Sequence, residues 1–305
     1  MGVDFDEFVR FRQANSDTST TNEVSEELFS VPSAVFLTNL AEQDIYSPQI
    51  DVEGIGGIHV AVAGGIHSQY LHATWAKPYV TLFVDLNSYA IDNLLFSGLL
   101  MDSNKYGKKY LQSLSKLMSS SPNVTSKLVD AQLNMDVPSE WLDVFAQIYS
   151  ESKQIPTMNM PPYRFSSSKL LEMINVRKVM GFLDTKNHYN HLKMMWDEGR
   201  ILGIDADIST KGLEVALDLA ETSEEQISLI SMSNAGDYLR PRQVGEFSSR
   251  LAYGFKQKLV REDAQVIYLQ GLREGAISGG NVGYNTKIAS ISTYVKHLRK
   301  ISRMK

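Results

Sequence analysis

The sequence predicts a doubly wound α/β fold, and three observations carry that prediction. Several short apolar runs, such as "IHVAVA", "YVTLFV" and "ISLISM", are continuous rather than alternating, as in strands buried on both faces of a parallel sheet. Segments of helical period separate these runs, so that strands and helices follow one another along the chain. Each run also stops at small or polar residues: Gly64-Gly65, Asp85 to Asn87, Asp205 to Asp207, and Ser233-Asn234. Right-handed crossovers would bring all these strand ends to one edge, where such sheets bind ligands.

The elements follow in order. "VDFDEFVRFRQ" has apolar residues at helical spacing, and "ANSDTSTTNEVSEE" after it is polar and unpatterned. "EELFSVPSAVFLTNLAEQ" returns to helical period, so residues 1–50 read as a helical cap with a polar segment inside it. "VEGIGGIHVAVAGG" is a glycine-marked approach to the first strand. "QYLHATWAKP" is a helix-like turn ended by Pro78, and "YVTLFVDLN" is the second strand. A mostly helical insertion runs from about 102 to 195, with a proline-rich loop at "IPTMNMPPYRFSS". Strands resume with "ILGIDADI", "QISLISMSN" and "AQVIYLQGL", the first two separated by the helix-forming "TKGLEVALDLAETS". "GAISGGNVGYNT" reads as a glycine-rich turn and "ASISTYVKHLRKISRMK" as a basic amphipathic tail, which completes an α/β domain over 51–305.

Composition narrows the function. The 305 residues carry a net charge of -5, against a nucleic-acid scaffold with its usual basic excess. There is no cysteine, which excludes disulfides, thiolate metal sites and cysteine nucleophiles and fits a reducing cytoplasm. The first residues lack the basic and apolar regions of a signal peptide, and Asp6 stands where myristoylation requires Ser or Thr. No apolar run is long enough to span a bilayer. A cytoplasmic protein is expected, with a small-molecule substrate, no nucleic acid and no stable membrane insertion. The basic tail reads as a solvated helix face or a contact within a homo-oligomer.

The strand ends suggest a cofactor. Gly64-Gly65 would let a ligand approach the backbone beside a helix N-terminus. The loop is neither GxGxxG nor a Walker sequence, which disfavours a dinucleotide or a nucleoside triphosphate. An acid after the second strand, Asp85, suits a ribose diol, and Asp205 or Asp207 follows the third. Together these point to an adenosine ligand without phosphates, with S-adenosylmethionine (SAM) the obvious candidate. Each mark also has a purely architectural reading. The glycine pair can be a simple turn, and Asp205, Asp207 or Ser209 can cap the next helix. His188 and His191 lie one helical turn apart, yet with no acid at suitable spacing they read as a solvated face, so no metal site is expected.

At these residues a resemblance adds to the reading. "GGIHSQYLHATWAKPYVTLFVDLNSYAIDNLL" resembles the first two motifs of an uncharacterised bacterial family of SAM-methyltransferase-like proteins. The likeness continues through "FLDTKNHYNHLKMM", "GRILGIDADISTKGLEVALDLA" and "ISLISMSNAGDYL", from about Gly57 to Leu239. It departs from the family at His67-Ser68, before Gln69, and at Tyr70, which stands where the family has Asn. "GG", "VDLN" and "SMSNAGDYL" are also similar to motifs of the betaine-lipid 3-amino-3-carboxypropyl transferases, although no proline follows Asn87. The resemblance implies a Rossmann-like sheet of the class I SAM-methyltransferase type, and an enzyme that moves an alkyl group, by default methyl, to a small-molecule nucleophile. Gly64, Gly65 and Gln69 would meet the amino-acid part of SAM, Asp85 and Asn87 the ribose, and Asp205 or Asp207 the adenine. Ser233 and Asn234 would lie beside the cofactor, and Asp237, Tyr238 or His67 would take the proton of the nucleophile. The second likeness implies an alternative at the γ-carbon of SAM: aminocarboxypropyl transfer, cyclisation or lyase action. A SAM-binding protein without turnover is the remaining alternative.

Overall fold

The computed structural model describes residues 5–17, 49–63, 66–103, 109–110, 112–113, 185–233, 235–237, 239–271 and 284–303. In chain order these form α1 (Phe5–Asn15), the short α2 (Gln49–Val52), β1 (Ile58–Val62), α3 (Ile66–Ala76), β2 (Val80–Asp85) and α4 (Ser88–Ser103). Then come α5 (Lys186–Asp197), β3 (Ile201–Asp205), α6 (Leu213–Ser223), β4 (Ile227–Ser233) and α7 (Pro241–Lys256). The chain closes with β5 (Val260–Gly271), β6 (Tyr284–Ser290) and α8 (Ile291–Ser302). Most of the expected insertion, and residues 18–48 of the expected cap, lie outside the described residues.

The strands make one sheet in the order β3-β2-β1-β4-β5-β6. β1 to β5 are parallel, and β6 runs antiparallel to β5. The α/β expectation therefore holds, with a six-stranded, mostly parallel sheet. Every residue of β1 and β2 except the last of each is buried, as their unbroken apolar runs require. On one face Val60, Leu82, Ile204, Ile230 and Val266 join a core completed by α6, α7 and α8. On the other, Leu229 and Ile267 pack with Val52, Trp75 and Ala76 of α2 and α3.

Two glycines allow close approach at the sheet. Gly57 has φ +68°, and a Cβ there would stand 2.5 Å from the Gln226 carbonyl oxygen, so no other residue fits the turn into β1. A Cβ on Gly203 of β3 would meet Phe8, Ile91 and Leu94 at 2.9–3.0 Å, and its absence lets α1 and α4 settle on the edge strand together.

Helix α5 closes the same face through Trp196, which is buried and donates its indole N–H to the Tyr70 hydroxyl at 3.2 Å. Tyr70 in turn hydrogen-bonds Ser97 of α4, so one polar chain ties α3, α4 and α5. The C-terminal tail is a helix whose apolar stripe, Ile291, Tyr294 and Leu298, is spent in the core against Phe247 and Tyr268. No helix among the described residues is long and apolar enough to cross a membrane.

Candidate functional site

Strand order reverses at β1. The chain moves outward from β1 through β2 to β3, then returns to β1's other side as β4. Crossovers on the two sides diverge there, and sheets of this kind usually bind ligands beyond the carboxyl ends of the strands at such a point. The proposed cofactor and catalytic residues singled out from the sequence all lie at or just after the carboxyl ends of β1 to β4.

The best-defined of them lie after β2. Asp85 is the last residue of that strand, and the turn Asp85-Leu86-Asn87 leads directly into α4. The Asn87 N–H donates to Asp85 Oδ1 at 2.9 Å, and the Asn87 carbonyl accepts the Ala90 N–H at 2.9 Å. Asn87 is buried while Asp85 is half-buried at the rim. On either side, the Ala63 N–H donates to the Val84 carbonyl at 3.1 Å and the Ala206 N–H to the Asp85 carbonyl at 2.9 Å. The ends of β1, β2 and β3 are thus laced at one level.

Asp205, the register partner of Asp85 on β3, is bound from the N-terminal helix. Arg12 of α1 grips it with both prongs of the guanidinium, Nε to Oδ2 at 2.7 Å and Nη2 to Oδ1 at 2.9 Å. Its Nη1 reaches Asp92 of α4 at 2.5 Å, and Nη2 also meets the Ser88 carbonyl at 3.3 Å. The Ser16 hydroxyl and the Asp17 N–H complete the contact with Asp205. Burial pushes the Asp92 carboxyl above the usual carboxylate range, with Arg12 pulling it back and Asp205 adding to the rise.

Asp207 has a structural duty. Its Oδ1 accepts the N–H and the hydroxyl of Ser209, both at 2.7 Å, which caps the helical turn before α6. Its Oδ2 accepts the Gln243 side chain at 2.6 Å, tying that turn to the start of α7. Of the capping readings left open in the sequence, the one through Asp207 is the arrangement found, with Ser209 as its donor.

For the remaining residues the description is partial. Gly64, Gly65, Asn234 and Tyr238 lie outside the described residues. His67 and Gln69 fall in the first turns of α3, Ser233 ends β4, and Asp237 closes the short turn Ala235–Asp237; their side chains lie outside the description. His188 and His191 lie on α5. Burial and the neighbouring cations Arg200 and Lys77 hold the His191 pKa down. Among the described residues no group of three His, Asp or Glu is arranged to hold a metal ion.

Sequence reasoning missed a polar cluster between the sheet and α3. His59 of β1 and His72 of α3, both wholly buried, converge on the Ser231 hydroxyl of β4 at 2.8 and 3.1 Å. Thr81 of β2 lies 3.5 Å from the other nitrogen of His59. A single hydroxyl proton serves only one of the two imidazoles, so at least one ring donates to the Ser231 oxygen. Burial holds both rings neutral, lowering His72 to about 3 and His59 well below its ordinary value, with His72 adding to the latter effect. The signal was a histidine inside "GIHVAVAG" and a serine inside "ISLISM", polar residues in runs otherwise built for burial.

Comparison with known proteins adds a family and no activity. No curated protein matches the chain. The model of a family described as Domain of unknown function (DUF7790) matches residues 35–265. That span takes in β1 to β4 and the first half of β5, hence every strand end discussed above, and leaves α1, β6 and α8 outside it. Because the match covers more than half of the 305 residues, the chain belongs to the DUF7790 family.

Proposed function

We propose that this protein is a SAM-dependent transferase of the class I methyltransferase type, which moves an alkyl group to a small-molecule nucleophile. The observation that carries the reading is Asp85. It is a half-buried carboxylate at the end of β2, one strand from the reversal of strand order, on a turn fixed by the Asn87 N–H. A carboxylate so placed suits two vicinal hydroxyls of a ribose, and the glycine pair after β1 leaves room for the adjoining part of the ligand.

In this reading Gly64, Gly65 and Gln69 receive the amino-acid end of SAM, Asp85 accepts from the ribose, and Asn87 holds Asp85 in place. Ser233 and Asn234 border the sulfur end. Asp205 and Asp207 keep the architectural bonds described above, so contact with the adenine falls to the backbone and apolar groups around them. SAM when bound supplies a sulfonium that already carries an activated alkyl group. The protein's part is to align the nucleophile with the electrophilic carbon and to take its proton, the second task assigned to Asp237 or Tyr238 with His67 behind them.

Calorimetric titration with SAM and with S-adenosylhomocysteine tests the reading. Asp85→Ala is expected to weaken binding by roughly tenfold to a hundredfold, since a charged hydrogen bond contributes about 1.5–3 kcal/mol. Unchanged affinity would reduce Asp85 to a surface acid, and absence of heat with either ligand would remove the cofactor. Product analysis then divides the chemistry. S-adenosylhomocysteine means methyl transfer, methylthioadenosine means attack at the γ-carbon, and binding with neither product means a protein without turnover.

A further inference from the structure

We infer that Arg12 is the positioning residue of the Asp85 turn, which makes the N-terminal helix part of the ligand site; as a statement about ligand affinity this rests on the reading above. The Arg12 guanidinium brackets that turn. On one side it holds Asp205, which lies beside Asp85 in register across β2 and β3. On the other it holds the Ser88 carbonyl, three residues after Asp85, and the Asp92 carboxylate one turn further along α4. The end of β3, paired in register with the end of β2, and the helix after the turn are therefore fixed to one planar group.

The charges give a second reason. Register partners on adjacent parallel strands stand about 4.8 Å apart and point to the same face. Two ionised carboxylates there repel, and each would turn from the other. Arg12 neutralises Asp205 and leaves Asp85 as the acid oriented by Asn87. Lysine cannot replace it, because an ammonium has no fork to meet a carboxylate with two parallel bonds while reaching a second one.

The contact is built into the fold. Arg12 shares a helical stripe with Phe8, which is buried against Trp196 with ring centroids 5.8 Å apart and rests over Gly203. Phe8 docks α1 and Arg12 delivers the charge. Both lie before residue 35, where the family match begins, so the match does not account for them.

The test uses the full chain and two readouts. One is hydrogen exchange of the Asn87 amide, which donates to Asp85 and needs no ligand. The other is affinity for S-adenosylhomocysteine. Arg12→Ala is expected to lower Asn87 protection tenfold or more and to weaken binding tenfold or more, with millimolar methylguanidinium restoring part of both. Arg10→Ala, on the exposed side of the same helix, is expected to leave both within twofold. Should Arg12→Ala fail to fold, Arg12→Lys replaces it, with an expected loss of threefold or more in each readout. A folded Arg12 variant with Asn87 protection within twofold of wild type would overturn the inference, as would methylguanidinium acting no better than sodium chloride. If wild type binds neither SAM nor S-adenosylhomocysteine, the cofactor reading fails, and the exchange measurement alone decides the positioning role.

Discussion

The two buried histidines make stability depend on acid in a way that can be worked out in advance. An unfolded chain protonates His72 near pH 6.5, whereas the folded protein holds it neutral until about pH 3 because burial strips the imidazolium of water. A depressed native pKa means that protons bind the unfolded state first. Stability is therefore intact above pH 6.5 and falls as pH drops from there toward 3. At pH 5, 1.5 units below the unfolded value and above the native one, the loss from His72 alone is about 2 kcal/mol. His59, lowered in the same direction, adds to it. Against a typical total of about 5–15 kcal/mol this is a large fraction. Urea unfolding of wild type and His72→Gln at several pH values from 7.5 to 5 measures it. Glutamine can still hydrogen-bond the Ser231 hydroxyl, as donor or acceptor, but takes up no proton. Between pH 6 and 5 the wild-type curve should fall more steeply than the variant's by up to ~1.4 kcal/mol per pH unit. Carboxylate effects are common to both proteins and cancel in that difference. Parallel curves would mean that His72 titrates alike folded and unfolded, and that water reaches the cluster.

Asp207→Ala should cost about 1–2 kcal/mol through loss of the cap, with its bond to Gln243 lost as well, read by urea unfolding. Affinity for S-adenosylhomocysteine should stay within twofold, and a loss much beyond that would restore Asp207 to the adenine site. Gly98→Ala would put a Cβ 2.5 Å from Trp196 Cε2, and is expected to destabilise by ~1–3 kcal/mol despite alanine's better helix propensity. A gain in thermal midpoint would show that α4 and α5 pack more loosely than described.

What the sequence made legible was whatever depends on local pattern. The apolar runs of β1 to β4 and the helical stripe of α8 were readable because burial on two faces, or on one side of a helix, leaves a periodic trace. β6 left none. The sequence reads Tyr284 to Thr286 as the end of a glycine-rich turn and Ala289-Ser290 as the start of the tail, whereas Tyr284–Ser290 pairs with β5 at the sheet edge, carrying Asn285, Thr286 and Lys287 where a central strand would carry Val or Ile. β5 was read from Ala264, yet it begins at Val260, its charged Arg261 and Glu262 imitating a loop. The rim was harder. Asp205 and Asp207 were visible as acids after a strand, but their partners were not, since Arg12 is 193 positions from Asp205. One clue was available: Arg12 falls on the stripe set by Phe5 and Phe8, an odd place for a cation unless an acid awaits it.

The packing of α4 on α5 bears on the long connection between them. α4 ends at Ser103 and α5 begins at Lys186, yet the Tyr189 hydroxyl donates to the Met101 carbonyl at 3.1 Å, so the chain leaves and returns at nearly the same point. The roughly 80 residues between, most of them outside the described residues, therefore join two points that lie close together. Closing such a loop costs free energy only as the logarithm of its length, about 0.6 kcal/mol for each doubling, so growth from ten residues to eighty costs about 2 kcal/mol. At that neck β2 and β3 are paired, and Trp196 of α5 is bonded to Tyr70 of α3. On closure entropy alone, a change in the length of that stretch is expected to cost little.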